Sequence, residues 1–376
     1  MYQEEDLVRI AKRENNNKRS YLVVNRLQGK HIPVKPHEAL AMFKELAAQL
    51  KECYAGERLL LIGFAETATA IGAAVAAELR APYMQTTREA IPGVTYLYFS
   101  EEHSHATEQK LVKDDIDSVI DIIDRIVFIE DEVTTGKTIV NIVNILEKQY
   151  PGKVAFAVAS LLNGMDETSL ANYRDRNIAL FWLVKTNHAA YTEIADTYKG
   201  DGTYIDCSDG DPAQQMTSLK TITTAMMNAR RFVGAEEYGN FCGQLFQTVL
   251  DSAELSGADN ILVLGTEEFM YPALFVAERL EAQGKKVRFH ATTRSPIAVS
   301  TEEQYPLHTR YQLKSLYDKE RTTFVYDLDR YDRVLIITDA DCQDADGVAS
   351  LIKALTLCGN TMENIILIKK RPEERK

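Results

Sequence analysis

Residues Asp124–Leu146 read DRIVFIEDEVTTGKTIVNIVNIL, and residues Asp332–Leu355 read DRVLIITDADCQDADGVASLIKAL. Each stretch runs from Asp-Arg through a short apolar segment to an acid, and then through a polar loop into a segment with helical periodicity. A short apolar run bounded by polar turn residues is typical of a buried strand, so each stretch predicts a strand followed by a helix. Strands that alternate with helices in this way predict parallel sheets covered by helices.

The same order of elements occurs twice along the chain. Gly63 and Gly265 end corresponding apolar runs 202 residues apart. Asp131 and Asp339 end the next pair of runs, 208 residues apart. A nearly constant offset indicates duplication, although chance similarity between two ordinary α/β domains would give the same order. We therefore predict a first domain at residues 1–230 and a second, degenerate copy of it at residues 231–376.

Composition limits the partners that the chain is expected to have. The 376 residues carry a formal net charge of −12, which argues against nucleic acid or an anionic membrane as the main partner. No apolar run approaches the length of a membrane span, and the N-terminus has no apolar signal-peptide core. The five cysteines are scattered and contain no C-x-x-C pair, so we expect reduced thiols. These features predict a cytoplasmic protein without a nucleic-acid or membrane partner.

The polar segment that follows the apolar run 126–129 carries the most specific chemistry. Glu130 and Asp131 are expected at the carboxyl end of the strand, where open α/β sheets bind ligands. A nucleotide-binding phosphate loop needs glycine where Asp131 stands, which excludes an ATP-dependent kinase. The turn into the helix offers hydroxyls and backbone N–H groups to a phosphate monoester, and comprises Thr134, Thr135, Gly136, Lys137 and Thr138. Acids beside such a turn suit the diol of a ribose 5-phosphate; the alternative is a solvated strand end with a helix cap from Thr135.

This segment resembles the phosphoribosyl-diphosphate (PRPP) loop of type I phosphoribosyltransferases, in which an apolar strand leads to two acids, an apolar residue and Thr-Thr-Gly. The segment TTRSP at residues 292–296 resembles the signature of a bacterial family that joins such a transferase domain to a C-terminal TRSP domain. The segments Val23–Val34, Gly63–Gly72 and Phe99–Leu111 are similar to the same family. The resemblance covers nearly the whole chain, and it implies a type I phosphoribosyltransferase fold, a Rossmann-like parallel sheet, followed by a degenerate copy.

The resemblance also implies an activity. An enzyme of this kind transfers 5-phosphoribose from PRPP to a base-like acceptor with Mg²⁺ and releases pyrophosphate. Glu130 and Asp131 would then orient the ribose and contact the metal only through PRPP, while residues 134–138 would anchor the 5-phosphate. Members of the family occur in tellurium-resistance and stress-response gene clusters and are often labelled orotate phosphoribosyltransferase-like, which suggests orotate or a related pyrimidine. A homodimer is expected, and a non-catalytic sensor of PRPP or nucleotides is the alternative.

Two further loops are expected to complete the site. The loop after the strand ending at Gly63 would hold pyrophosphate through Ala65, Glu66, Thr67 and Ala68. Glu66 would either hold Mg²⁺ through water or simply place a negative charge at a helix N-terminus. A catalytic loop would run from Arg88 to Lys113, with Arg88 and Lys110 as candidate cations that stabilise the leaving pyrophosphate. Its histidine-containing segment EEHSHATEQ could instead bind a metal or be a surface loop without chemistry.

The residues that contact the acceptor are the least defined part of the predicted site. The candidates are Asn163, His105 and Arg294. The basic segment around Gly29 either covers the base or has a structural role. In the second copy, the phosphate turn is replaced by the acids Asp339, Asp341, Asp344 and Asp346. Since clustered carboxylates repel phosphate, we expect the second domain to serve dimerisation or to shape the first site.

Overall fold

The computed structural model describes residues 2–14, 19–99, 109–210, 218–342 and 345–372. The strands, in chain order, are β1 (Val8–Lys12), β2 (Tyr21–Asn25), β3 (Leu59–Gly63), β4 (Tyr83–Gln85), β5 (Tyr96–Phe99), β6 (Gln109–Val112), β7 (Arg125–Val133), β8 (Ala155–Asn163), β9 (Ala179–Lys185), β10 (Thr203–Asp206), β11 (Lys220–Thr224), β12 (Asn260–Gly265), β13 (Lys286–Ala291), β14 (Thr309–Lys314), β15 (Thr322–Tyr326), β16 (Arg333–Ile337) and β17 (Ile365–Lys370).

The helices alternate with these strands over much of the chain, as the sequence predicts. They are α1 (Glu4–Leu7), α2 (Pro36–Cys53), α3 (Thr69–Leu79), α4 (Lys113–Val119), α5 (Lys137–Gln149), α6 (Glu167–Asp175), α7 (Tyr191–Thr197), α8 (Ala235–Ser252), α9 (Tyr271–Ala282) and α10 (Asp346–Leu357). Within the described ranges, no helix combines the length and the apolar composition that crossing a membrane requires.

The chain divides into two compact units. Unit 1 comprises Met1–Glu4, Leu40–Asn187 and Asn228–Asn240, and unit 2 comprises Glu5–Ala39, His188–Met227 and Phe241–Lys376. The units do not follow the expected division at residues 230 and 231, because the N-terminal segment packs within unit 2. Lys30 is fully buried there, where its Nζ donates to the carbonyl oxygens of Glu267 and Thr292, 3.0 Å away in each case. The basic segment around Gly29 therefore has a structural role in unit 2.

Unit 1 is built around a five-stranded parallel sheet with the order β4-β3-β7-β8-β9. The apolar run 126–129 of β7 is fully buried at the centre of this sheet. Helix α3 is apolar on all sides and its first eight residues are buried, as expected for a helix inside the core. Strands β5 and β6 form a separate antiparallel pair. This arrangement puts the ends of β3, β7 and β8 at one edge of the sheet.

Unit 2 contains a second five-stranded parallel sheet with the order β11-β17-β16-β12-β13. Read from the other side, β13, β12, β16 and β17 occupy the positions that β4, β3, β7 and β8 have in unit 1. The fifth position is filled by β11, which precedes the copy in the chain instead of following it. The predicted fold class of two related α/β domains is thereby confirmed, with an exchanged edge strand that the sequence did not indicate.

Candidate active site

Strand β7 extends four residues beyond the apolar run that the sequence predicts as strand. Its last residues continue the parallel ladder, with Glu130 opposite Ser160 and Val133 opposite Asn163 of β8. The two acids therefore lie within the strand and not after it. Since neighbouring side chains of a strand leave on opposite faces, Glu130 and Asp131 are not a pair that projects in one direction.

Asp131 is the acid that contacts the loop following β3. Its Oδ1 accepts a hydrogen bond of 2.8 Å from the hydroxyl of Thr67. Burial disfavours the charged carboxylate and raises the pKa of Asp131 to about 6, although the Thr67 hydroxyl acts in the opposite direction and Glu132 adds negative charge. Asp131 thus joins the ends of β3 and β7 and titrates near neutral pH.

The loop at residues 64–68 uses part of its backbone for internal bonds. The amide of Ala65 donates to the hydroxyl of Thr86 at 2.8 Å, and the amide of Ala68 donates to the carbonyl of Phe64 at 3.0 Å. Both amides were expected to hold pyrophosphate, and in this conformation they are engaged because the loop closes as a turn into α3. That Ala65, Glu66, Thr67 and Ala68 hold pyrophosphate stays a prediction, and in this conformation the amides of Ala65 and Ala68 are not available for it.

The turn after β7 has the backbone conformation that requires glycine. Gly136 has a φ of +68°, and a Cβ there would lie 2.3 Å from Oη of Tyr173 and 2.4 Å from Cε of Met165. The hydroxyl of Tyr173 donates to the carbonyl of Gly136 at 2.7 Å and holds the turn in place. Burial and the charge of Glu130 raise the pKa of Tyr173, so it stays a donor.

Helix α5 begins at Lys137, directly after this turn, and no side chain caps it at Gly136. The amide of Lys137 has a long hydrogen bond of 3.4 Å to the hydroxyl of Thr135, which is a weak form of the cap considered as the alternative. Thr135 and Lys137 are exposed, and Thr134 and Thr138 are half-buried. The turn therefore presents hydroxyls, a positive side chain and a helix N-terminus together, a combination suited to an anion.

The expected catalytic loop contains the antiparallel pair β5–β6, and residues 100–108, including His105, lie outside the described residues. Arg88 is half-buried and directly follows Thr87, whose backbone exchanges hydrogen bonds with that of Lys110. The ammonium group of Lys110 lies 4.9 Å from the ring centre of Tyr96. The two predicted catalytic cations are thus close in the fold, on neighbouring backbone segments.

Asn163 ends β8 beside the end of β7 and is 1% exposed. Its Oδ1 accepts the amide of Met165 at 3.0 Å. Its Nδ2 is buried and has no hydrogen-bond partner among the described residues. A buried amide donor of this kind costs free energy unless another group accepts from it, so Asn163 is a strong candidate for a ligand contact.

Two sequence models of known families match the chain. The family described as phosphoribosyl transferase matches residues 7–190. The family described as the TRSP domain C-terminal to that transferase matches residues 234–355. Residues 7–190 therefore form a domain of this phosphoribosyl transferase family, and a TRSP domain follows it. Phosphoribosyl transfer from PRPP is the activity of such enzymes, and the chain carries their characteristic arrangement of transferase and TRSP domains.

Solved structures of adenine phosphoribosyltransferases are similar to part of the chain. The Trypanosoma brucei enzyme, in complex with AMP, pyrophosphate and ribose-5-phosphate, is 15% identical over 48% of this chain and 77% of its own, with a TM-score of 0.35. The Rhodothermus marinus enzyme is 17% identical over 48% of this chain and 96% of its own, with a TM-score of 0.35. The Giardia lamblia enzyme, with 9-deazaadenine, is 14% identical over 49% and 96%, with a TM-score of 0.36. No protein of curated function matches.

In the TRSP domain, the positions that correspond to the transferase site are occupied by internal ion pairs. Arg294, the arginine of the TRSP signature, donates to Glu267 at 2.9 Å and to Glu268 at 3.0 Å, and Arg321 also donates to Glu267 at 2.9 Å. Both glutamates are 1% exposed. Two buried carboxylates hold the guanidinium of Arg294 in this structure, and its contact with the acceptor stays a prediction.

The acids that replace the phosphate turn in the TRSP domain are also engaged. Asp339 accepts a hydrogen bond of 2.7 Å from the hydroxyl of Tyr317, and Asp346 pairs with Lys314. Asp344 lies outside the described residues. Across the described part of both domains, no group of three or more His, Cys, Asp or Glu side chains is arranged to hold a metal ion.

Several residues that shape the transferase site were not predicted from the sequence. Tyr173 is 37 residues from the turn that it supports. Lys185, at the end of β9, donates to the carbonyls of Met165 at 2.7 Å and Asn163 at 3.2 Å. Neither contact has a local sequence signal, because both join segments that only the order of strands brings together. A buried tyrosine on a polar helix is the one indication that could have pointed to Tyr173.

Proposed function

We propose that the transferase domain transfers 5-phosphoribose from PRPP to a ring nitrogen of a pyrimidine such as orotate, in a stress-response or tellurium-resistance pathway, and acts as a homodimer. A bond forms between the acceptor nitrogen and C1 of the ribose. The bond between C1 and the pyrophosphate oxygen breaks, and pyrophosphate leaves with the electron pair. The acceptor nitrogen, if protonated, gives up its proton. This chemistry depends on positioning and on stabilising the leaving group more than on covalent catalysis.

The observation that supports this proposal best is the hydrogen bond between Thr67 and Asp131. It joins the loop expected to hold pyrophosphate to the strand end expected to orient the ribose, as a substrate with both groups requires. The turn at Gly136 would bind the 5-phosphate at the start of α5, while Asp131 accepts from a ribose hydroxyl. The side chain of Glu130 would lie on the side of the Gly136 turn, because it projects from the face of β7 opposite to that of Asp131.

The residues around Asp131 fit a magnesium ion that arrives with PRPP. Mg²⁺ is bound through one or two carboxylates together with water and substrate phosphates, so a protein-built cage of ligands is not needed. When bound, the ion would neutralise charge on the pyrophosphate. Asp131 would contribute an oxygen only in its ionised form, and its pKa of about 6 makes substrate binding weaken as the pH falls below 6.

Asn163 is proposed to contact the acceptor. Its buried Nδ2 is a hydrogen-bond donor, and a pyrimidine offers carbonyl oxygens as acceptors. Arg88 and Lys110 are proposed to stabilise the departing pyrophosphate, since a cation near developing negative charge lowers the barrier. His105 remains a proposed contribution from the loop outside the described residues.

Pyrophosphate release tests the proposal. The protein is incubated with PRPP, Mg²⁺ and each of a panel of purine and pyrimidine bases, and pyrophosphate is measured over time. We expect release that requires one base, with orotate as the first candidate. The variant Glu130→Gln/Asp131→Asn should lose this activity while it stays folded. Activity of the double variant equal to that of the wild type would refute the assignment of these acids.

A sensor that binds PRPP without turnover is the second candidate. It is favoured by one observation: the amides of Ala65 and Ala68 donate within the protein, which leaves fewer donors for a departing pyrophosphate. Calorimetry with PRPP and Mg²⁺ separates the two functions. Heat of binding without base-dependent pyrophosphate release supports the sensor, and both together support the enzyme.

A further inference from the structure

Unit 2 contains a cavity of about 840 Å³ that has no part in the transferase site proposed above. The hairpin β1–β2, the residue after α7 and the segment 303–306 line it. This volume is within the range of pockets that hold small organic ligands. All of the lining residues belong to unit 2.

Two arginines on the same face of the hairpin line this cavity. Arg9 pairs with Val24 in the antiparallel register, and Arg26 follows the last residue of β2. Because the side-chain period of a strand is two, Arg26, Val24 and Arg9 share a face. Val24 on that face is fully buried in the core of the unit, and both arginines line the cavity, Arg9 half-buried and Arg26 exposed.

The positive charge of this pair is not neutralised within the described part of the chain. Arg9 is half-buried, and its Nη1 donates to two backbone carbonyls, of Glu5 at 2.8 Å and of Val8 at 2.7 Å. Among the described residues, neither Arg9 nor Arg26 forms an ion pair with a carboxylate. By contrast, Arg310, which packs on the same core, is paired with Glu14 at 2.6 Å.

The two guanidinium groups also act on each other. Burial, followed by the charge of Arg26, lowers the pKa of Arg9 from its ordinary value. The one acid that lines the cavity, Glu303, is exposed. Arg26 is exposed, so water screens part of the repulsion between the two guanidinium groups. An anion bound near both would offset the rest, so the cavity is suited to a ligand of at least one negative charge.

Aromatic and apolar side chains form another part of the cavity wall. Tyr198 and Tyr305 meet edge to face with ring centres 4.5 Å apart, and Tyr305 is 2% exposed. Ile32 packs against the same core and lines the cavity. A flat ring placed against this wall would bury apolar area while an anionic group at its other end reaches the arginines.

We propose that this cavity binds a phosphorylated small molecule with a flat ring, of the nucleoside monophosphate class. A phosphate monoester carries close to two negative charges and accepts paired hydrogen bonds from guanidinium groups, which matches two arginines better than a single carboxylate does. The binding site is separate from the residues of the transferase reaction, so the TRSP-containing unit has a ligand of its own.

Calorimetry with uridine 5′-monophosphate, uridine and inorganic phosphate tests this proposal on the full-length protein. The wild type should bind the monophosphate more tightly than either fragment. The variant Arg9→Gln/Arg26→Gln should weaken that binding about 10-fold or more, because hydrogen bonds to charged groups are removed. The lysine variant Arg9→Lys/Arg26→Lys, which keeps the charge, should lie between the two. Arg330→Gln, an exposed arginine of the same unit, is the matched control and should bind like the wild type.

A monophosphate could also bind the transferase turn, and a second variant separates the sites. Gly136→Ala alters that turn and should leave binding at the arginine pair intact. Equal binding by the wild type and the double glutamine variant would overturn the proposal, as would binding that only Gly136→Ala abolishes. Uridine or phosphate bound as tightly as the monophosphate would also contradict it.

Discussion

The substitution Asp131→Asn should make the protein more stable and less active. Asparagine has the same shape as aspartate and keeps an oxygen that accepts from Thr67, so the contact between the two strand ends is retained. It removes a negative charge that burial disfavours. We therefore expect aspartate at this position to lower the free energy of unfolding while it supports activity, a trade-off that is common at active sites.

The size of the effect follows from the pKa. Burial raises the pKa of Asp131 from its ordinary value of 3.8 to about 6. Because the folded pKa is the higher one, the folded state binds the proton more tightly, and stability is lost as the pH rises from 3.8 through 6. At about 1.4 kcal/mol per unit of pKa, the aspartate lowers the free energy of unfolding by about 3 kcal/mol at pH 8 and by about 1.5 kcal/mol at pH 5.

Urea unfolding of the wild type and of Asp131→Asn at pH 8 and pH 5 measures this difference. The variant should be more stable at both, with the larger gain at pH 8. At pH 8 its pyrophosphate release with PRPP, Mg²⁺ and base should fall about 100-fold or more, as when a group that acts on the transition state is removed. A variant that is less stable than the wild type, or a gain that does not change with pH, would refute the reasoning.

Asp124 provides a matched control at the start of the same strand. Its side chain is 40% exposed and forms a bidentate ion pair with Arg58, whose hydrogen bonds lower the pKa of Asp124 to about 2. The folded pKa is here the lower one, so Asp124 contributes stability above its unfolded pKa and loses it as the pH falls toward 2. Asp124→Asn should therefore lower stability at pH 8, opposite in sign to Asp131→Asn, and should leave pyrophosphate release unchanged.

Three further predictions concern single positions. Gly136→Ala should lower the free energy of unfolding by about 2–4 kcal/mol and raise the KM for PRPP, because its Cβ would overlap Tyr173 at a positive φ; urea unfolding and initial rates measure both. Asn163→Ser keeps an acceptor for the amide of Met165 but removes the Nδ2 amide group, and its shorter hydroxyl does not replace that donor at the same position. The KM for the base should rise about 10-fold with that for PRPP unchanged, and an equal rise in both would contradict a contact between Asn163 and the base. Arg294→Gln removes two ion pairs to buried carboxylates and should destabilise the protein by about 3–5 kcal/mol in the same urea titration, whereas a higher KM for the base without lost stability would favour its predicted contact with the acceptor.

The sequence predicted the fold class correctly because the signals for it are local. Short apolar runs that end in glycine or an acid, followed by helical periodicity, are enough to indicate buried parallel strands and their covering helices. The repeat at an offset of 202 to 208 residues indicated a second sheet in the same way. The turn at Gly136 was also local, since a glycine between hydroxyl residues and a helix is tied to a left-handed conformation wherever that turn occurs.

Long-range packing decided the rest. The paired acids were expected after the strand, but the ladder with β8 extends β7 through Val133 and separates Glu130 from Asp131 by face. The sequence did not indicate that Glu267 and Glu268, 27 and 26 residues earlier in the chain, hold the guanidinium of Arg294. The N-terminal segment packs within unit 2, where the ammonium group of buried Lys30 donates to carbonyl oxygens more than two hundred residues away in the chain. A sequence pattern specifies which side chains are available and which face of an element they share. The partner of a buried charge is decided by the tertiary structure, because the order of strands determines which polar groups lie next to that charge. Since water is excluded there, one of those groups must form its hydrogen bond or ion pair.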